Sequence, residues 1–150
     1  MGIAGSRLVM AAAAAAAATL LIAPSAHAGS PEDEANYWHK DICVDPGYGD
    51  FKFTLFYNSN FMGSYRNMGY NVYDFGGPRP LTFCQLGASA PHPGSGQNIK
   101  NNAASAKNFH ATYVADVYYN SGFKGAVDDV AWGRNLNYTK NNNASFRWRG

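Results

Sequence analysis

Several chemical signatures are missing from this chain. It has no His-Glu-x-x-His pair, no Gly-x-Ser-x-Gly elbow and no glycine-rich phosphate loop. The spacing of Ser, His and Asp singles out no triad. The chain is therefore not read as an enzyme. Charge is scarce as well: Asp, Glu, Lys and Arg make up 15% of the residues. No basic stripe marks a nucleic-acid surface and no acidic excess marks a basic partner. Histidine is scattered, with His39, His92 and His110 far apart in sequence. Long helical periodicity is absent beyond Ala28, and cysteine occurs only at Cys43 and Cys84.

The start of the chain is a separate matter. Arg7 precedes an alanine-dominated apolar run from Leu8 to Ala23, and Ala26-His27-Ala28 closes it. A short basic start, an apolar stretch and a small-x-small site are the layout of a secretory signal peptide. Cleavage is expected after Ala28, giving a secreted protein that begins at Gly29, with no membrane association afterwards. Removing Arg7 from the twelve basic residues leaves eleven against ten acidic ones. The acidic stretch Pro31–Glu34 reads as part of a flexible leader over 29–42, ahead of one domain at 43–150. That length suits a single core, and a monomer is expected.

In an exported chain an even pair of cysteines reads as a disulfide. A Cys43–Cys84 bond would close a loop of forty-one residues, worth about 4 kcal/mol in chain entropy. The rival reading, a catalytic thiol, has no Cys-His motif behind it.

What the chain does have is repetition. Tyr57-Asn58-Ser59 recurs as Tyr119-Asn120-Ser121, followed in both copies by Phe and Gly: Phe61 and Gly63, then Phe123 and Gly125. "NNAAS" at Asn101–Ser105 recurs as "NNNAS" at Asn141–Ser145. The first echo is offset by sixty-two positions and the second by forty, so the first half holds twenty-two extra residues between its two signals. Two echoes in the same order indicate a duplicated unit. Phe53–Tyr57 and Tyr113–Tyr119 alternate with the two-residue period of strands, and Gly, Asn and Ser punctuate at short intervals. An all-β sandwich of two similar halves follows. Asp128-Asp129 reads as a solvated turn, because adjacent strand residues point to opposite faces.

The aromatic-x4-aromatic-x-Gly pattern, Phe56…Phe61-x-Gly63 and Tyr118…Phe123-x-Gly125, resembles the Greek-key hairpin of the βγ-crystallin fold. The Asn-Asn-x-x-Ser boxes resemble that superfamily's signature. "IKNNAASAKN", "VYYNSGFKG" and "LNYTKNNNASF" look like the streptomycete metalloproteinase-inhibitor family, which adopts this fold. The resemblance covers roughly Asp41 to the end of the chain. It implies a βγ-crystallin-like Greek-key sandwich of two motifs, and an inhibitor whose partner is a secreted protease of the thermolysin type. The surplus residues fall in Asp74–Gln97, rich in Pro and Gly. A loop held rigid there would bind with little ordering cost. Phe83, Cys84, Gln85 and Leu86 are the inhibitory-loop candidates, with Gln85-Leu86 as the candidate bond and Phe83 as a further anchor. The inhibitory members are associated with two disulfides, and this chain can form one.

The same resemblance implies an alternative, a non-inhibitory secreted module that binds calcium or serves a structural or binding role. Asn101, Asn102, Ser105, Asn141, Asn142 and Ser145 are the candidate Ca2+ ligands, all of them neutral, where charge would strengthen binding. The bland reading is that they cap turns by bonding backbone. Tyr65, Tyr70, Tyr73, Trp132 and Trp148 could stack on sugars, or fill the core and its edge.

Overall fold

Two antiparallel sheets face each other across an aromatic core. The computed structural model describes residues 31–150; the expected signal peptide, Met1–Ala28, and its cleavage site lie outside the described residues. Among the described residues no helix is long and apolar enough to cross a membrane. The strands are β1 (Phe53–Asn58), β2 (Met62–Met68), β3 (Ser105–Asn108), β4 (Val114–Asn120), β5 (Lys124–Val130), β6 (Gly133–Asn135) and β7 (Ser145–Arg149). The first sheet runs β2-β1-β3-β6 and the second β5-β4-β7.

The two halves exchange a strand. β6 belongs to the second half but pairs with β3 of the first, through Ser105–Asn135 and Lys107–Gly133. Val72 of the first half pairs in return with Phe146 on β7, by backbone bonds of 2.8 and 3.0 Å. Each sheet is therefore finished by the other half, so neither half buries its own core alone. The expected two-fold sandwich is present, and its halves are interlocked rather than merely stacked.

Alternation places the core. Phe53 and Leu55 on β1 meet Ala115 and Val117 on β4 and Phe146 on β7. The Phe53 and Phe146 rings stack with centroids 4.3 Å apart. Thr54 and Phe56 point the other way and are buried too, so the outer face of the first sheet must be covered.

Phe56 is covered by the Phe61 and Tyr65 rings, and Thr54 bonds Asn67, which is in turn held by the segment read from sequence as a flexible leader. Pro31–Trp38 forms helix α1, and a single 3-10 turn follows at Lys40–Cys43. Asn36 is fully buried. Its Nδ2 donates to Tyr70 O at 2.8 Å, and its Oδ1 accepts from Gly69 N at 3.0 Å and Tyr70 N at 3.1 Å. Asn67 Nδ2 reaches the Asp41 and Val44 carbonyls at 2.9 and 2.8 Å. Arg66, on β2, closes the end of α1 by donating to the Asn36 and Tyr37 carbonyls at 2.8 and 3.1 Å and to Thr82 O at 3.0 Å. Burial pushes its pKa down to about 10, so it remains charged at neutral pH. From Glu34 onward the stretch is docked because its polar groups complete β2, a long-range fit that an acidic composition does not reveal.

The second sheet is covered differently. Arg149 grips Asp116 with two bonds of 2.8 and 3.0 Å. On β5, Asp129 is exposed but Asp128 is buried. Asp128 Oδ2 accepts from Asn137 N, Thr139 N and Thr139 Oγ1 at 3.0, 2.8 and 2.9 Å. The pair does split across the strand as expected, yet Asp128 organises the turn at 137–139 from inside instead of lying in solvent.

Two predictions follow from the docked N-terminal segment. Asn36→Ala removes four bonds and leaves the Gly69 and Tyr70 N–H groups without their partner, so chemical denaturation should show a loss of about 2–4 kcal/mol; a loss below about 0.5 kcal/mol would mean that α1 is not docked. Asp41 accepts from Lys40 Nζ at 2.8 Å and from Asp50 N at 2.7 Å. These bonds, the Lys40 one foremost, outweigh desolvation and hold its carboxyl below the ordinary value. A carboxyl with a lowered folded pKa adds stability above its unfolded pKa and loses it as pH falls through the folded value. Asp41→Asn should therefore flatten the fall in urea midpoint between about pH 5 and pH 2; an unchanged slope contradicts the assignment.

Candidate functional site

The long connection between β2 and β3 is less of a surface loop than its Pro and Gly content suggests. Phe75, Leu81, Phe83 and Ile99 all enter the core. The chain leaves along 81–86 and returns along 92–99. Phe83 N bonds Gln97 O and Ile99 N bonds Leu81 O, each at 2.9 Å. This corrects one sequence expectation: Phe83 is 1% exposed, so it anchors the loop to its own domain and is not presented to a partner.

Beyond Phe83 the loop is pinned at successive residues. Cys84 is bonded to Cys43, as expected, with Cα atoms 5.8 Å apart. Its N–H donates to Tyr65 O at 2.9 Å and its carbonyl accepts from the Ser64 hydroxyl. Gln85 is exposed and Leu86 half-buried. Leu86 N–H donates to Ser95 Oγ at 3.1 Å, and Leu86 O accepts from the same hydroxyl at 3.0 Å and from His92 N at 3.0 Å. Ala88–Pro93 is exposed throughout. On the return arm, Pro93 O accepts from Ser64 N at 2.8 Å. The structure thus keeps Gln85 and Leu86 together at the base of an exposed tip and adds Ser95, which sequence reading missed. One serine in a Pro-Gly-Ser-Gly stretch looks like ordinary turn chemistry until its partner nine residues earlier is seen.

The Asn-Asn-x-x-Ser boxes serve two purposes. Ser105 and Ser145 are fully buried. Ser105 Oγ donates to Asn58 O at 2.6 Å and accepts from Phe61 N at 3.0 Å. Ser145 Oγ does the same for Asn120 O at 2.7 Å and Phe123 N at 3.1 Å. Each hydroxyl clamps the folded-over hairpin of its own half. Phe61 and Phe123 both sit at φ 60°, and their rings meet Phe56 and Tyr118 with centroids 5.8 and 6.0 Å apart. The paired aromatics read from sequence are in contact in both halves.

The four candidate amides separate from the serines and line two related clefts. Asn101 and Asn142 lie in one of about 220 Å³ with Asn120 and Ser121; Asn102 and Asn141 lie in the other, of about 330 Å³, with Asn58 and Ser59. Each cleft takes one asparagine from each box. Asn101 and Asn141 hold left-handed backbone, φ 63° and 54°, a conformation asparagine accepts readily. Asn143, absent from the sequence candidates, is buried and joins the boxes through Ala103 O at 2.7 Å and Thr139 O at 2.9 Å.

The donor set can be tested for calcium. No carboxylate lines either cleft, and each contains a lysine, Lys100 or Lys140. Lys100 Nζ donates to Asp74 Oδ1 at 2.9 Å and to Ser121 Oγ at 3.3 Å. A hard dication needs six to eight oxygens and gains from their charge. Amides facing an ammonium do not fit that requirement. Another cluster, His39, Asp41 and Asp50, lies within 4.8 Å, but two of its three side chains are spent on the turn: His39 Nδ1 accepts from Asp41 N at 3.2 Å, and the Asp41 carboxylate accepts from Lys40 Nζ and Asp50 N. Four of the five sugar-stacking candidates pack against rings of their own domain: Tyr65 against Phe56, Tyr70 against Phe51, Tyr73 against Phe123 and Trp148 against Phe146. Trp132 is 78% exposed, and Tyr70 is 44% exposed.

Neither a family model nor a curated protein sequence matches the chain. Solved structures do. One, from work on the evolution of the eye-lens βγ-crystallin domain fold, aligns at TM-score 0.48 and 15% identity over 71% of this chain and 92% of its own. The N-terminal domain of protein S aligns at 0.47 and 26% identity, over 66% and 96%. A double mutant of clostrillin in complex with nickel aligns at 0.46 and 14%, over 66% and 98%. The fold is βγ-crystallin-like. The interlocked Greek keys, the paired aromatics and the serine clamps carry that statement in this chain's own residues.

If the boxes are chiefly clamps, Ser105→Ala and Ser145→Ala should each cost about 2 kcal/mol, since each strands a buried N–H and a carbonyl. Asn142→Ala should stay within about 0.5 kcal/mol. Urea denaturation of the three variants decides; equal effects from the serines and Asn142 would contradict the division of labour.

Proposed function

We propose that this chain is a secreted proteinaceous inhibitor of a thermolysin-like metalloprotease, acting through the loop that carries Gln85 and Leu86. The observation that carries the reading is the bracing of that one peptide unit on both sides. Gln85 follows a half-cystine whose own N–H and carbonyl are held by β2. Leu86 has its N–H and carbonyl held by the Ser95 hydroxyl, with His92 N–H adding a second bond to the carbonyl.

The chemistry follows from that arrangement. Proteases of this type favour a large apolar residue just after the cut, which Leu86 supplies. Hydrolysis would add water across Gln85-Leu86, leaving a carboxylate on Gln85 and an amine on Leu86. Neither end could depart. The acid side is tied through Cys84 to Cys43, and the amine side stays on Ser95 and His92. Products held in place re-form the bond or leave slowly, and little ordering is lost on binding. A loop cut without such bracing is only a substrate. The single disulfide, where the resemblance suggests two, is supplemented here by the Ser64 and Ser95 hydroxyls.

The alternative is a non-inhibitory structural or binding module on the same fold. Calcium binding, the form of that alternative read from the boxes, is disfavoured by the lysines in both clefts.

The test is a titration of the protein against a thermolysin-like protease, with the mixture analysed for cleavage. Stoichiometric loss of activity with mostly intact inhibitor is expected. Ser95→Ala should convert the protein toward a substrate cut at Gln85-Leu86, raising the apparent inhibition constant by about tenfold or more for the lost bonds. Full protease activity in the presence of excess wild-type protein would defeat the proposal.

A further inference from the structure

The first cleft is where the two halves of the domain meet. Asn101 comes from one box, Asn142 from the other, and Asn120 and Ser121 from the β4–β5 hairpin. Lys100 reaches across this junction. Its stem lies against Gly76, where an added Cβ would collide with Lys100 Cδ. Its ammonium donates to Asp74 Oδ1 at 2.9 Å and Ser121 Oγ at 3.3 Å. Asp74 Oδ1 also accepts from Gly76 N at 2.9 Å, which fixes the carboxylate in place. One positive centre thus joins the long connection, the first box and the second hairpin through oxygen atoms.

We infer that Lys100 is a tethered cation: it bridges in this cleft the oxygens that a divalent ion would otherwise bridge, and it keeps such an ion out. The junction then holds with no dissolved metal. The inference concerns this cleft alone and is independent of protease inhibition. Two features support it. Asp74, which shares the ammonium with Ser121 of the cleft, is paired with Lys100 and with no other cation among the described residues. The second cleft has a lysine as well, Lys140, but among the described residues it forms no ion pair like that of Lys100 with Asp74. The second cleft therefore lacks the charge to hold a cation, and serves as an internal control.

Removing the ammonium while keeping the stem should unmask the site. Lys100→Met leaves Asp74 and Ser121 with no cation between them, beside the asparagines that line the cleft. Thermal unfolding is measured in EDTA and in 10 mM CaCl2, with KCl added to match ionic strength. Wild-type protein is expected to show no calcium shift. Lys100→Met should melt lower in EDTA and gain about 3–5 °C in calcium, as for a millimolar site. Lys100→Gln should behave alike, and Lys140→Met should gain nothing. Folding of a Lys100 variant only in calcium is the same result in a stronger form. A wild-type shift as large as the variant's would show that the lysine excludes nothing. No shift in either Lys100 variant, unfolding of both with and without calcium, or an equal gain in Lys140→Met would each overturn the inference.

Discussion

One hydroxyl in each half sets the geometry on which the rest depends. A serine at the end of each box sits between the carbonyl that ends a strand and the amide of a phenylalanine held at positive φ. That bridge folds the hairpin over, lays one aromatic ring on another, and brings the box beside the hairpin. Once both boxes are placed this way, Asn101 N reaches Asn143 O at 2.8 Å and Asn141 N reaches Ala103 O at 2.9 Å. The halves become mutually supporting, and the exchanged strands can seal each sheet. A hydroxyl suits the place because it donates and accepts at once, whereas an apolar residue of similar size would strand two backbone groups.

The departure from two-fold symmetry is where function can sit. The second half closes its outer face with an Arg149–Asp116 pair and a short connection. The first half docks residues from before β1 against β2, and spends its twenty-two extra residues on an excursion along the same strand. Disulfide, Ser64 hydroxyl and Arg66 all converge on that same edge. The docked N-terminal segment and the loop therefore belong to one unit, since Cys43 lies in the first and Cys84 in the second. A loop whose base is built into the sheet can be exposed without being slack.

Much of this was legible in the sequence because the signals are local. The echoed Tyr-Asn-Ser, the paired aromatics, the glycines and the boxes each encode a contact within about twenty residues, or recur often enough to be noticed. The disulfide followed from cysteine arithmetic and the expectation of export. Other features have no local signature. Asn36 looks like any polar residue after an acidic start; its burial depends on Gly69 and Tyr70, more than thirty positions on. Phe83 stands among prolines and glycines, yet the return arm at 97–99 draws it into the core. Lys100 and Lys140 immediately precede the boxes, where a basic residue reads as solvated surface. Only the fold shows that Lys100 meets Asp74 across the junction of the halves. Ser95 was hidden for the same reason.

The most direct measurement is backbone 15N relaxation on the free protein, read at Gln85, Leu86, His92 and Ser95. A loop set in advance by its own domain should give order parameters of about 0.85 at these positions, equal to the strands. Values below about 0.6 at Leu86 and His92 would mean that the bracing bonds are not held in solution, and would contradict a pre-formed inhibitory loop.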